Sequence, residues 1–265
     1  MKKTCLVIFP VYKPLDQDEQ MSVRQAVVMT QGFDCCFIAP QSFIMDDSYR
    51  EFDSVRVERF DDRYFAGLQG YNRLMLDQSF YKRFVDYQYI LIHQTDAYIF
   101  KPELEYWCSK DYDYIGAPWY VPRKLPKYNL YKFVFNWGRL FFGYEKLLHW
   151  RYNNNAGNGG LSLRKVESFI NVLEKVNKKL LNLYLENESH FFHEDIFWSL
   201  EAQRIKDGFM IPEWKVALAF SIESIPQESY EILSRTLPFG CHAYKNTDPE
   251  FWKQFIPFHH ADKLK

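Results

Sequence analysis

The sequence lacks several features that would assign a protein to a class at once. It has no excess of charge, since 33 Lys and Arg residues stand against 34 Asp and Glu, for a formal net charge of −1. Binding along a phosphate backbone needs basic residues in excess, so we expect no nucleic acid partner. The five cysteines are odd in number and form no CxxC pair, a pattern that fits neither a disulfide framework nor a zinc site. These absences favour a reducing compartment.

Long apolar runs are also missing. A membrane-spanning helix needs about 18 or more consecutive apolar residues, and the sequence contains no such run. The N-terminal apolar run, residues 5–9, is too short for a signal peptide. No stretch resembles a linker between domains. We therefore expect a cytoplasmic protein with a single domain over residues 1–265.

Hydrophobic residues make up 47% of the chain and aromatic residues 19%, enough to build a core and to supply stacking surfaces. Buried strands and helices alternate along the sequence, which predicts an α/β class with a mainly parallel sheet. The pattern predicts strands at residues 5–9, 34–39, 89–93, 113–117, 161–164 and 217–221, and helices at residues 18–31, 71–84, 165–185 and 193–203.

Three polar residues, Gln94, Thr95 and Asp96, directly follow the predicted buried strand at residues 89–93. Ligands of open α/β sheets bind at the carboxyl ends of the strands. Carboxylate and phosphate oxygens together can satisfy Mg²⁺ or Mn²⁺. Asp96 is therefore a candidate metal ligand, with a simple turn-capping role as the alternative.

Asp111 and Asp113 have the spacing of two metal-binding carboxylates and compete with Asp96 for that role. They precede a predicted strand instead of following one. This places them at the opposite edge of the sheet from the expected site, so we favour Asp96.

A glycine-rich loop, residues 157–160, precedes the predicted strand at residues 161–164. It lacks the Lys-Ser or Lys-Thr pair of a P-loop and does not follow a strand, so it is neither a P-loop nor a dinucleotide fingerprint. Gly159 and Gly160 could let the backbone approach a ligand closely. An ordinary flexible turn is the alternative.

Two acidic residues, Glu194 and Asp195, open a predicted helix. Acidic residues stabilise a helix N-terminus whatever the function, but one of them could also take a proton from an acceptor hydroxyl. His242 lies near the end of the chain, where it could be a metal ligand or a structural residue.

The order of these features resembles the common core of GT-A glycosyltransferases, with its DxD-type metal motif, glycine-rich loop, xED motif and C-terminal histidine. Closer still is the resemblance to a bacterial family of uncharacterised glycosyltransferase-like proteins in which Gln-x-Asp replaces DxD. That resemblance rests on three strings: Asp-Tyr-Asp-Tyr-Ile-Gly-Ala-Pro-Trp at 111–119, Gly-Asn-Gly-Gly-Leu-Ser-Leu-Arg at 157–164, and Glu-Asp-Ile-Phe at 194–197.

The resemblance implies a GT-A fold and a role for each matching residue. Asp96 and His242 would bind a divalent cation, Mn or Mg, and Asp195 would be the catalytic base, beside Glu194. The donor nucleotide-sugar would contact Pro10, Tyr12, Gln94, Thr95 and Asp96. Arg73, on the predicted helix before the strand at residues 89–93, could also reach the donor diphosphate, with a solvated surface charge as the alternative. Donor sugar and acceptor would contact Gly159, Gly160 and Trp119.

The expected function is transfer of a sugar from a nucleoside diphosphate sugar to an acceptor hydroxyl in polysaccharide or glycan biosynthesis. A base at Asp195 implies inversion at the anomeric carbon, and retention is the alternative if this residue only positions substrate. One rival is a sugar nucleotidyltransferase, which usually carries a glycine-rich loop after its first strand, whereas no glycine follows Pro10 here. The other rival is a catalytically inactive carbohydrate-binding protein of the same fold, which the amide at Gln94 would suit.

The segment at about residues 120–152 interrupts the alternating pattern and combines basic with aromatic residues. Such a surface can attract anionic headgroups while its rings enter the membrane interface. We therefore expect an insertion that faces a glycan or lipid-linked acceptor, with peripheral contact at the inner membrane as a further expectation. The alternative is that these aromatic residues only cover the core.

Overall fold

The computed structural model describes residues 2–120 and 155–258. Within these residues the strands are β1 Lys3–Pro10, β2 Asp34–Pro40, β3 Arg56–Phe60, β4 Tyr87–His93, β5 Tyr98–Ile99, β6 Tyr114–Gly116, β7 Leu161–Lys165, β8 Ser221–Ile222 and β9 Gly240–Cys241. The α-helices are α1 Gln17–Met29, α2 Gly67–Met75, α3 Gln78–Lys82, α4 Leu104–Ser109, α5 Val166–Lys175, α6 Lys178–Glu186, α7 Glu194–Leu200, α8 Ala202–Ile205, α9 Trp214–Phe220, α10 Pro226–Ile232 and α11 Pro249–Trp252.

Six strands form the main sheet in the order β3-β2-β1-β4-β7-β6. The pairs β2/β3, β1/β2 and β1/β4 are parallel, and β7 runs antiparallel to both of its neighbours. The predicted α/β class with a mainly parallel sheet is confirmed. The carboxyl ends of β1 and β4 are neighbours, which brings the residues after both strands to one edge.

Helices cover both faces of this sheet, so its central strands are buried on both sides. Leu6 and Ile8 of β1 pack into the core beneath α2, α3 and α5. Val7 and Phe9 point to the other face and pack with α1 and α4. This arrangement explains why the strand reads as a continuous apolar run.

A second sheet of three short strands, in the order β5-β9-β8, extends from the chain that follows β4. Strands β8 and β9 are parallel and place Ile222 beside Cys241. The residues that follow the two strands are therefore neighbours. This small sheet links the turn after β4 to the C-terminal part of the chain.

Several predicted elements have different bounds in the structure. The helix predicted at residues 71–84 is two helices, because Asp77 accepts a hydrogen bond from Ser79 N and begins α3. The helix predicted at residues 165–185 is likewise divided, since Asn177 caps α6. The helix predicted at residues 193–203 forms α7 and then α8.

The strand predicted at residues 217–221 is wrong for most of its length. Helix α9 occupies Trp214–Phe220, and only Ser221 and Ile222 form a strand. A short apolar run fits a buried helix as well as a buried strand. No helix in the described part of the chain is both long and apolar enough to span a bilayer.

Candidate active site

A cleft of about 380 Å³ opens at the carboxyl ends of β1 and β4. Five of the predicted donor-binding residues line it together: Pro10, Tyr12, Gln94, Thr95 and Asp96. Aromatic and apolar side chains from α2 and from the 3₁₀ helix Asp62–Phe65 form the opposite wall. The cleft therefore combines a polar floor with apolar walls, as small-molecule sites commonly do.

Glu19 connects the cleft floor to the start of α1, and it was not identified from the sequence. One carboxylate oxygen accepts from the Thr95 hydroxyl at 2.9 Å and lies 3.1 Å from Lys13 Nζ. The other accepts from the backbone N–H of Asp16 at 2.9 Å, which completes a capping box. The sequence signal is Asp followed three residues later by Glu, which resembles a capping box and predicts only a helix start.

Asp96 and His242 are brought together although they lie far apart in the sequence. His242 Nε2 is 3.3 Å from Asp96 Oδ1 and 3.1 Å from Gln94 Oε1. Burial would raise the pKa of Asp96, but the hydrogen bond from His242 outweighs it and lowers that pKa. The imidazole thus faces both polar groups of the Gln-x-Asp turn.

Glu223 lies on the other side of the imidazole, with Oε1 3.1 Å from His242 Nδ1. The same oxygen accepts a hydrogen bond of 2.8 Å from Asn158 Nδ2. Burial would lower the pKa of His242, but hydrogen bonds with Asp96 and Glu223 raise it to about 10. The imidazole is therefore held between two carboxylates.

These residues fit a divalent cation by their chemistry. Among residues 2–120 and 155–258, no group of three or more His, Cys, Asp and Glu residues could hold a metal ion. Asp96, His242 and the amide oxygen of Gln94 nevertheless converge. Two ligands of an octahedral Mg²⁺, each at 2.0–2.1 Å, lie about 3 Å apart, close to the 3.3 Å between Asp96 Oδ1 and His242 Nε2.

The glycine loop packs tightly against this group. A Cβ on Gly160 would lie 2.1 Å from His242 Nε2, and a Cβ on Gly159 would lie 2.4 Å from Glu194 Oε1. His242 and Glu194 fill the space that a side chain at these positions would need, so both glycines serve the packing of the site. Their contact with a ligand stays a prediction.

Asp195 begins α7 beside the glycine loop and is partly exposed. Its carboxylate accepts from the backbone N–H of Ile196 at 2.8 Å. Burial, together with the nearby carboxylates of Glu194 and Glu223, raises its pKa to about 8. A carboxyl group with a pKa near neutrality can both accept and release a proton at physiological pH.

Glu194 is buried and forms a two-point ion pair with Arg164. Its oxygens lie 2.8 Å from Arg164 Nη2 and 3.1 Å from Nη1. Arg164, also fully buried, donates further hydrogen bonds to Tyr81 and Ser162 at 3.0 Å. Because Arg164 engages both of its oxygens, Glu194 is placed to support the site, whereas the carboxylate of Asp195 is free of any ion pair within the described chain.

Two predicted site residues lie apart from the cleft. Arg73 is exposed on α2, and its Nε approaches the Leu185 carbonyl at 3.5 Å, so the side chain points toward α6. Trp119 is half-buried and packs against the core on the α2 side of the sheet. Neither residue lines the cleft.

The competing aspartates are engaged at the opposite edge of the sheet. Asp111 accepts from Lys165 Nζ at 2.6 Å and from the Tyr89 hydroxyl at 3.1 Å. Buried Asp113 accepts from Met210 N at 2.6 Å and from the Ser168 hydroxyl. Asp111 and Asp113 therefore lie away from the cleft, as we expected when we favoured Asp96 as the metal ligand.

The predicted membrane-facing insertion at about residues 120–152 lies almost wholly outside the described residues. Tyr120 is the exception. Its ring stacks on Trp214 with centroids 5.2 Å apart, and its hydroxyl donates to Glu228 at 2.9 Å. This contact shows that the start of the segment packs on the domain.

The sheet order, the covering helices and the cleft at the strand ends define a GT-A fold. Solved structures with a similar fold include galactosyltransferase LgtC in complex with donor and acceptor sugar analogs, at a TM-score of 0.51 and 14% identity, covering 89% of this chain and 86% of that chain. An active-site mutant of LgtC gives 0.50 and 12% with the same coverage. Apo mouse xyloside xylosyltransferase 1 gives 0.49 and 11%, covering 93% of this chain and 99% of that chain.

The chain belongs to the family described as "Protein of unknown function (DUF5672)", whose model matches residues 54–242. The matched region contains Asp96, the glycine loop, Asp195, Glu223 and His242. No curated protein matches the sequence.

Proposed function

We propose that this protein is a glycosyltransferase, a single-domain enzyme that moves a sugar from a nucleoside diphosphate sugar to an acceptor hydroxyl. The observation that carries the proposal is the convergence of Asp96 and His242, 3.3 Å apart, at the cleft of a GT-A fold. A solved galactosyltransferase of similar fold binds donor and acceptor sugar analogs, which supports the same ligand classes here.

The donor would lie in the cleft between β1 and α2. Tyr12, 60% exposed at the end of β1, offers an aromatic face on which a nucleotide base can stack. Lys13 lines the same cleft and supplies positive charge near the donor phosphates. Both residues line the cleft because they come directly after β1, which ends there.

Asp96, His242 and Gln94 would hold a divalent cation, Mn or Mg. When bound, such an ion stabilises the negative charge that develops on a leaving diphosphate. The residues around it keep the ligand set in place: Glu223 contacts His242, and the backbone of Gly160 packs against its ring. Gln94 in place of a carboxylate leaves the site one negative charge short of a DxD motif.

Asp195 would take the proton from the acceptor hydroxyl as that oxygen attacks the anomeric carbon. The new bond from the acceptor oxygen to the anomeric carbon forms as the bond to the diphosphate breaks, and the hydroxyl proton passes to Asp195. Direct displacement of this kind inverts the anomeric carbon. The carboxylate is suited to the role because its pKa is raised to about 8.

We further propose a glycan or lipid-linked acceptor in polysaccharide or glycan biosynthesis, met in the cytoplasm at the inner membrane surface. The basic and aromatic composition of the segment at about residues 120–152 supports this proposal. Co-sedimentation with anionic and neutral vesicles tests it. Equal and negligible binding to both would contradict the membrane contact and leave the transferase proposal intact.

The test of the transferase function is release of nucleoside diphosphate from a panel of sugar nucleotides, with Mn²⁺ or Mg²⁺ and with a chelator. Metal-dependent release of a nucleoside diphosphate from one donor is the expected result. Release of pyrophosphate from a sugar phosphate and a nucleoside triphosphate would indicate a nucleotidyltransferase. Binding of sugars with neither reaction would indicate an inactive carbohydrate-binding protein.

A further inference from the structure

Glu223 reaches the active site through the pairing of two short strands. Strands β8 and β9 are parallel, with Ile222 opposite Cys241. The next residue of each strand is Glu223 and His242, respectively, so their side chains leave the sheet side by side. His242 is buried, with 9% of its surface exposed. The Nδ1 side of its ring therefore faces Glu223 and not solvent.

The two nitrogens of the His242 imidazole have different partners. Nδ1 lies 3.1 Å from Glu223 Oε1, whereas Nε2 lies 3.1 Å from Gln94 Oε1 and 3.3 Å from Asp96 Oδ1. Carboxylate and amide oxygens accept, so Nδ1 carries a proton that it donates to Glu223, and Nε2 carries one that it donates to Gln94 and Asp96. Nε2 faces the polar end of the cleft, where a divalent cation would replace its proton while the Nδ1 proton stays with Glu223.

We propose that Glu223 is a positioning residue: it holds the Nδ1 proton of His242 and thereby directs Nε2 toward Asp96 and Gln94 for metal binding. This inference rests on the proposed function of the cleft as a metal-dependent donor site. Carboxylates that accept from the far nitrogen of a ligating histidine fix its ring orientation and raise its basicity. Glu223 has the geometry for this role.

Asn158 couples this arrangement to the glycine loop. Its Nδ2 donates to Glu223 Oε1 at 2.8 Å, and its Oδ1 accepts from the backbone N–H of Gly160 at 3.0 Å. Gly160 in turn packs against the His242 ring, where a Cβ would lie 2.1 Å from Nε2. The ring is thus held on its edge by Glu223 and on its face by the loop.

Removal of the carboxylate would free the ring. In Glu223→Ala the buried Nδ1 proton loses its acceptor, which favours rotation of the ring and loss of the Nε2 direction. In Glu223→Gln the amide oxygen can still accept from Nδ1. The alanine variant should therefore be the more strongly affected, and the glutamine variant should retain part of the function.

The first measurement is Mn²⁺ affinity by electron paramagnetic resonance, with the metal alone and with a nucleoside diphosphate. We expect Glu223→Ala to weaken Mn²⁺ binding roughly 10- to 100-fold, as is usual for loss of an outer hydrogen-bond partner, with a smaller effect in Glu223→Gln. Exposed Glu213→Gln is the matched control and should bind as the wild type does. Equal affinity in Glu223→Ala and wild type overturns the inference.

The second measurement does not depend on metal. A hydrogen-bonded imidazole N–H gives a low-field proton resonance in protein labelled with ¹⁵N-histidine, and His242→Gln assigns it. We expect the Nδ1 resonance of His242 in wild type and Glu223→Gln and its loss in Glu223→Ala. Its persistence in Glu223→Ala overturns the inference. A wild type that binds neither Mn²⁺ nor nucleotide contradicts the proposed function separately.

Discussion

The backbone N–H of Gln94 donates a hydrogen bond of 2.9 Å to the carbonyl oxygen of Gly160. This bond continues the antiparallel pairing of β4 with β7 one step beyond His93 and Leu161. The turn after β4 and the glycine loop are therefore one hydrogen-bonded unit. A change in the backbone conformation of either loop should therefore shift the backbone of the other.

Gly160→Ala should displace His242 and weaken Mn²⁺ binding about tenfold or more, since the added Cβ would lie 2.1 Å from Nε2. Calorimetric titration with Mn²⁺ measures the effect. Gly208→Ala is the control: its φ of +72° costs about 1 kcal/mol of strain, but open space surrounds it. An unchanged Mn²⁺ affinity in Gly160→Ala would show that His242 is no ligand.

Asp96→Asn should abolish the stabilisation that divalent metal and a nucleoside diphosphate together confer on the wild type. A ligand at a hundred times its Kd stabilises the native state by about 2.7 kcal/mol, which thermal unfolding detects readily. Asp111→Asn should keep the full effect, because Asp111 pairs with Lys165 at the opposite edge of the sheet. The reverse result would assign the metal to Asp111 and Asp113.

Asp195→Asn should lower turnover roughly 10²-fold or more while donor binding stays nearly constant, the usual scale for loss of a general base. Steady-state kinetics with the donor that shows activity gives both quantities. Exposed Asp207→Asn controls for a change of charge alone. A loss confined to KM would indicate that Asp195 only positions substrate, and with it a different stereochemical course.

The raised pKa of Asp195 also predicts how stability depends on pH. The folded protein keeps the proton up to a pKa of about 8, whereas an unfolded chain releases it near 3.9. Between these values stability declines as pH rises, because the unfolded state binds fewer protons. Asp195→Asn removes this decline, so its stability advantage over wild type should grow from pH 5 to pH 9 in urea unfolding. Parallel profiles would contradict the assignment.

Arg164→Met should destabilise the protein by about 3–5 kcal/mol, since it leaves the buried carboxylate of Glu194 without its cation. The double variant Arg164→Met with Glu194→Gln should recover part of that loss, because it removes the stranded charge. Chemical denaturation of the three proteins measures both steps. A loss below about 1 kcal/mol in the single variant would show that Arg164 contributes little.

The sequence predicted five of the six strands of the main sheet, because buried strands read as continuous apolar runs. It missed β3, in which three of the five residues are charged. The run at residues 5–9 and the run at residues 89–93 both form central strands. The division of a predicted helix into two was missed where a single polar residue caps the second helix, as Asp77 does for α3. Strands of two residues, such as β8, are too short to leave any periodic signal.

The convergence of Asp96 with His242 was expected from the resemblance alone, and the structure brings the two side chains together. Glu223 was missed because a glutamate after a two-residue strand carries no recognisable pattern. The role of Arg73 as a donor contact stays a prediction from the sequence, and its exposed position on α2 gives it no support. Local sequence cannot report which face of a helix meets a cleft assembled from distant segments.

The small sheet has a consequence for the order in which the site can be completed during synthesis. Strand β5 follows Asp96 directly, but it pairs with β9, which pairs in turn with β8. A growing chain that has emerged only as far as α8 carries Asp96 and Asp195 without β8, β9, Glu223 or His242. The cleft can therefore form early, whereas the contact between Asp96 and His242 at its polar end must wait until residues 240–242 have left the ribosome and β9 has joined the small sheet.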